Sequence, residues 1–239
     1  MEMTKDTIRA ERWLHLSFAL LTFVTGLVDA ASYLSMGRIF TANMTGNVVL
    51  LGLAVANVPG LSVRRSITAL IFAFAGGVVS GRLERSTANW RRSHWLGLAA
   101  GMETTLLFIA CMLLVMRHDS VVLPGSSLYG IIALTALAMG IRNGTVRRLG
   151  VPDITTTVLT LTVAGLASES SLAGGTKPRW GRRIVSIVTM FLGAAIGAFL
   201  LKRSLALVLE LAALVSLSAA LMQSFRGDTA QELAAASRT

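Results

Sequence analysis

The chain has 239 residues, of which 54% are hydrophobic and only 14% charged, with a mean hydropathy of +0.67. Soluble domains carry roughly a quarter charged residues, so this composition excludes an ordinary water-soluble fold and predicts an integral membrane protein. The formal net charge of +10 does not point to nucleic acid, because the basic residues sit between hydrophobic runs, where they orient the chain in a bilayer.

Six apolar runs, over residues 13–34, 67–83, 95–116, 128–141, 184–201 and 205–222, can cross a ~30 Å hydrocarbon core as helices. The fourth is short unless it begins near Leu123. The first exceeds a signal-peptide core, shows no small-residue cleavage site and carries Asp29, so it reads as an uncleaved first helix. Two more apolar segments, residues 48–56 and 158–167, are too short to span. At ~1.5 Å per residue each gives roughly 15 Å of helix, which predicts re-entrant or half-spanning elements.

Lys and Arg placement chooses the topology. If both short segments cross, the 22 basic residues divide almost evenly between the two sides. If neither crosses, only Arg38, Arg64, Arg65, Arg117, Lys202 and Arg203 fall outside, leaving 16 within. The positive-inside rule therefore predicts six crossings with both termini cytoplasmic.

A polar, glycine-punctuated stretch occurs twice, 114 residues apart: Gly26, Asp29 and Thr41 match Gly140, Asn143 and Thr155. The first copy continues through Asn43, Met44, Thr45, Gly46 and Asn47, the second through Thr156, Thr157 and Thr160. Three crossings per copy would turn the second upside down, giving inverted repeats over residues 1–117 and 118–225, followed by a polar tail, 226–239, without fixed structure. A small-residue pair four apart recurs in the third long element of each half, Gly77 with Gly81 and Gly193 with Gly197, and such pairs allow close helix approach or homo-oligomer contact. One acid recurs in the last helix of each half, Glu103 and Glu210.

Polar groups at membrane depth are costly unless buried in protein or facing a water-filled cavity, and inverted repeats with interrupted helices gather them near the midplane. The residue set with which the sequence would bind a solute or coupling ion is Asp29, Asn43, Thr45, Gly46, Asn47, Glu103, Asn143, Thr155, Thr157 and Thr160. Apart from Glu103, a lone carboxylate in an apolar run that needs a partner, these residues have plainer accounts. Asp29 would merely hold the following loop, Asn143 would cap a helix, Arg142 would extend to the cytoplasmic surface, and the threonines would bond back to their own helix.

The stretch TGLVDAASYLSMGRIFTANMTGNVVLLG, residues 25–52, together with GIRNGTVRRLGVPDITTTVLTLT, residues 140–162, resembles the YoaK family of bacterial multi-pass membrane proteins. The resemblance covers nearly the whole chain and implies a six-helix inner-membrane protein. Where many relatives of this type carry Gln before the Asn of the second copy, this chain has Arg142, which argues against a strictly neutral site.

Other chemistries lack their residues. There is no HExxH, no GxSxG and no Gly-rich phosphate loop, so no enzyme is expected. Cys111 is the single cysteine, and His15, His94 and His118 are scattered, so neither a metal centre nor any other cofactor is expected. The expected function is a small-solute transporter or permease with a central polar site, its partners the lipid bilayer and the solute. The alternative is a structural or assembly membrane protein held together through its small-residue faces.

Overall fold

In the computed structural model, residues 5–87, 92–116, 125–149, 159–170, 173–174 and 180–236 are described. Among them every regular element is helical: α1 (Lys5–Ser35), α2 (Met44–Val55), α3 (Val63–Ser86), α4 (Arg92–Val115), α5 (Gly125–Leu149), α6 (Leu159–Ser168), α7 (Trp180–Leu200) and α8 (Leu205–Ala236). Six contain a stretch long and apolar enough to cross a bilayer: His15–Ser35, Val63–Ser86, His94–Val115, Gly125–Arg148, Arg183–Leu200 and Leu205–Ser224. The protein is an all-α polytopic membrane protein.

The helix α5 is longer than its apolar run at both ends, which brings it to spanning length. The helix α8 also differs from expectation. It does not stop at Arg226 but continues to Ala236, because AQELAAA is rich in strong helix formers and carries no Gly or Pro to end the ladder.

Packing directions follow from side-chain registers. Gly76 of α3 lies against Leu137, Gly140 and Ile141 of α5, Ser80 meets Gly144 and Thr145, and Glu84 pairs with Arg148 at 3.2 Å. The two helices therefore run parallel. By the same reasoning α1 and α7 are parallel, with Phe23 and Leu27 against Gly193 and Ala30 against Gly197. The helices α4 and α8 are antiparallel, since Gly97 faces Ser224 while Cys111 Sγ donates to Ala206 O at 3.5 Å. The helices α4 and α5 are antiparallel too, with Arg148 over the Trp95 ring at 4.4 Å and Arg142 beside Glu103.

The short helix α2 leaves and returns on one side of the bundle. The Arg65 guanidinium, at the start of α3, packs on Gly37, just beyond the end of α1, and the Arg38 guanidinium approaches Gly60, beyond the end of α2. Gly37 sits at φ +90°, where a side chain would be strained and would collide with Arg65. The loop dips inward between these points, because the Ala42 amide reaches Asp29, six residues below the end of α1. Asn43 caps α2 there, accepting from the Gly46 amide at 3.0 Å.

The two halves use corresponding packing relations. The α3–α5 contact recurs as α7–α1, α4–α5 as α8–α1, α2–α3 as α6–α7, and α3–α4 as α7–α8. The correspondence extends to atoms. A Cβ on Gly76 would collide with Leu137 O and Ile141 N, and one on Gly193 with Phe23 O and lie tight against Leu27 N; Gly140 and Gly26 face Ala73 O and Met190 O in the same way. These residues are 114 apart on α1 and α5 and 117 apart on α3 and α7. The small-residue pair of α3 is thus Gly76 and Ser80, one residue earlier than the expected Gly77 and Gly81, which face open space. Two adjacent glycines occur there, and only the helical phase set by α5 decides which one packs.

The centre of the bundle is α1, with 67% of its spanning window buried against 17% for α7. Around it the core gathers Val24, Leu27 and Val28 of α1, Leu107 and Ala110 of α4, Ile131, Ile132 and Met139 of α5, and Val208, Leu209 and Ala212 of α8.

Candidate functional site

Glu103 lies on α4 and Arg142 on α5, both buried, at 2% relative exposure each. Arg142 Nε donates to Glu103 Oε2 at 2.9 Å, and Nη2 donates to Oε1, a two-toothed fork between planar groups. The remaining terminal nitrogen, Nη1, donates to Leu21 O at 2.9 Å and to Thr25 Oγ1 at 3.2 Å on α1. From α8, the Ser216 hydroxyl donates to Glu103 Oε1, and Thr104 Oγ1 stands behind it, 3.4 Å from Ser216 Oγ. Four helices therefore converge on one ion pair. The interior position of Arg142, seven residues before the end of α5, puts it ~10 Å inside that end rather than at the surface where the sequence placed it.

A cavity adjoins the pair, lined by Phe18, Leu21, Leu96, Ala99, Ala100, Glu103, Arg142, Thr145, Val146 and Gln223. About 20 Å³ of it is open to the centre of a water molecule. A single water needs roughly 10–15 Å³ by that measure, so the space holds a water or two. Toward the end of the bundle where α1 starts, Gln223 Nε2 donates to Ser17 Oγ at 3.3 Å.

The first motif copy assembles on the loop between α1 and α2. Asp29 Oδ1 accepts from the Ala42 amide at 2.9 Å, and the amides of Thr41 and Asn43 on either side also face the carboxylate. Asn47 clamps Phe40 at both backbone groups: Oδ1 accepts from Phe40 N at 2.8 Å, and Nδ2 donates to Phe40 O. Gly46 presses on the Phe40 ring, which in turn stacks on Tyr33 at 5.3 Å. Asn143, next to Arg142 in sequence, donates from Nδ2 to Ala42 O at 3.4 Å. One residue of α5 thus ties the ion pair to the Asp29 loop.

Asp29, Asn43, Gly46, Asn47 and Asn143 are brought together, with most of their hydrogen bonds made to backbone. Thr45 is exposed on the outside of α2. Glu103 belongs to the separate cluster with Arg142. Its expected counterpart Glu210 is exposed on α8 and shares none of this environment. Thr155 and Thr157 lie outside the described residues, and Thr160 is described only as backbone of α6. The sequence reading missed Arg142, Thr25 and Ser216 as members of the site. The available signal was that a carboxylate in an apolar run needs a partner, and Arg142 directly follows a predicted spanning run.

Residues 17–222 match the family described as "Protein of unknown function (DUF1275)". The chain belongs to this family. The matched region takes in the four inner spanning stretches of the DUF1275 fold, all but two residues of the first and of the last, and both members of the ion pair. The chain is also 35% identical over 153 residues to the UPF0700 transmembrane protein YoaK of Bacillus subtilis (strain 168), an alignment covering 64% of this chain and 65% of that protein. It therefore spans just under two thirds of the length of that relative. No solved structure matches.

Proposed function

We propose that this DUF1275 protein is a secondary transporter or permease, rather than an enzyme, that passes a small polar solute through the interior between its two halves. The single observation that carries the reading is the fully buried Arg142–Glu103 pair with a water-sized cavity against it. A buried ion pair has a large desolvation cost and is weak evidence for stability, whereas charged groups inside membrane helices characteristically mark pathways for ions and solutes. The matched glycine crossings support two repeats related by an axis in the membrane plane, since α1 and α5 run in opposite directions: Arg142 lies beside Leu21 and Thr25 of α1, while Val146, further along α5, joins Phe18 and Leu21. In that layout a solute site at the repeat interface is exposed alternately to each side as one half rocks against the other.

The membrane we assign is the bacterial inner membrane, with both termini cytoplasmic, on the strength of the Lys and Arg asymmetry and the bacterial relative. Gly77 and Gly81 leave a flat strip on α3 suited to a second copy of the chain. A structural or assembly role draws its support from Asp29, Asn43 and Asn47, whose hydrogen bonds serve the loop they stand on.

The test is uptake into proteoliposomes from a broad set of labelled polar solutes, comparing the native chain with Glu103→Gln. Solute movement above empty vesicles by the native chain, altered by the substitution while the protein stays folded, is the expected result. A folded native chain that moves nothing across the set supports the structural role instead.

A further inference from the structure

We propose that Glu103 stands in for a solute's carboxylate: on taking up a proton it releases Arg142 to hold the carboxylate of a small monocarboxylic acid in the same fork, so that one proton enters with each anion. This rests on the transport reading above and specifies its solute and coupling ion.

The geometry of the fork is the first reason. Arg142 presents Nε and Nη2 side by side to two oxygens of one planar group, while Nη1 is held by Leu21 O and Thr25 Oγ1 and so keeps the guanidinium fixed when its partner leaves. A halide or an amine cannot satisfy both teeth, and a neutral solute cannot replace the charge-assisted bonds. The cavity supplies the second reason. Phe18, Leu21, Leu96, Ala99, Ala100 and Val146 give apolar walls beside the polar fork, which suits a short hydrocarbon attached to a carboxylate. With about 20 Å³ now open and the room that the Glu103 carboxylate gives up, the solute must be small.

Charge balance is the third reason. Glu103 and Arg142 are the charged residues among those lining the cavity, and together they are neutral. Arg142 on α5 and Ser216 on α8 bond Glu103, and Gln223 of α8 lines the same cavity, while Thr25 and the Asp29 carboxylate of α1 face Arg142. An anion entering alone leaves an uncompensated charge in a low-dielectric interior, at a cost of several kcal/mol. An anion entering with a proton leaves the net charge unchanged. The proton goes from solvent to a Glu103 carboxylate oxygen, the Arg142–Glu103 bonds break, and two equivalent bonds form to the solute. Ser216 can then turn its hydroxyl to accept from the protonated Glu103, with Thr104 donating to Ser216.

The experiment is acetate binding to the full-length protein in detergent, read from the concentration dependence of thermal stabilisation, with chloride as the control anion. Linked uptake of one proton tightens apparent acetate affinity as the pH is lowered, by up to about tenfold per pH unit. In Glu103→Gln, which holds no exchangeable carboxylate, acetate binds at least as tightly as in the native protein at the lowest pH, and its affinity is flat across the pH range. Arg142→Lys keeps the charge and loses the fork, so acetate loses its advantage over chloride. Acetate affinity that does not change with pH in the native chain overturns the proposal, even if Glu103→Gln fails to fold. So does equal acetate binding by all three proteins. Because the readout needs no flux, acetate binding with the expected pH slope but no vesicle uptake leaves this site standing and defeats transport; uptake of a neutral solute without acetate binding does the reverse.

Discussion

Removing one member of the Arg142–Glu103 pair should destabilise the protein far more than removing both. Arg142→Gln strands Glu103 without the two donors of the fork and leaves Leu21 O and Thr25 Oγ1 without their Nη1 partner. Breaking a buried pair from one side costs roughly 3–5 kcal/mol. For a chain of this size, with about 2–4 °C of melting temperature per kcal/mol, Arg142→Gln should melt roughly 6–20 °C lower. Glu103→Gln should fall at the lower end of that range, since the amide keeps an oxygen that accepts from the guanidinium. The double Gln variant puts two neutral, mutually hydrogen-bonding amides in the gap. It should recover at least about 2 kcal/mol relative to the sum of the single losses. The assay is a double-mutant cycle on detergent-purified protein, followed by intrinsic fluorescence during heating. Additive losses, or single losses under about 1 kcal/mol, would falsify the claim that the two side chains share one desolvated site.

Gly140→Leu and Gly193→Leu should abolish monodisperse protein on size exclusion, because a side chain there meets the backbone of α3 or α1, whereas Gly77→Leu should be tolerated by the monomer. Asn47→Ala removes both bonds to Phe40 and should cost about 1–3 kcal/mol, seen as faster amide exchange over residues 38–43 with the bundle core unchanged. Asp29→Asn keeps an acceptor for the Ala42 amide, so the loop should stay protected from exchange while Asp29→Ala loses that protection. In a background with Cys111 replaced, single cysteines at Gly37 and Gly60 should label from the same side of sealed vesicles; opposite sides would mean that α2 crosses.

The six spans were legible because length and hydropathy decide them with little help from tertiary contacts. The short α2 was legible as a non-spanning element for the same reason, and Asn43 as its cap because a polar residue stands just ahead of an apolar run. Gly26 and Gly140 were visible as matched positions, though not as the backbone-to-backbone crossings that make a side chain impossible there. The Arg142–Glu103 pair was hidden because it joins residues 39 apart on different helices, and nothing local distinguishes a buried arginine from one that extends to the surface. The same limit hid Gly76: the phase of α3 against α5 belongs to the packed bundle. Thr45 shows the converse. Its neighbours Asn43, Gly46 and Asn47 all turn inward, and the helical period alone carries Thr45 to the outside.

The most direct measurement of the central claim is accumulation of a labelled monocarboxylate with low passive leak, such as pyruvate, by proteoliposomes under an inward proton gradient. The account predicts accumulation above the external concentration with the native chain, collapse of accumulation when the gradient is dissipated, and downhill entry without accumulation with Glu103→Gln. Uptake by the folded native protein no greater than by protein-free vesicles, with or without the gradient, would contradict it.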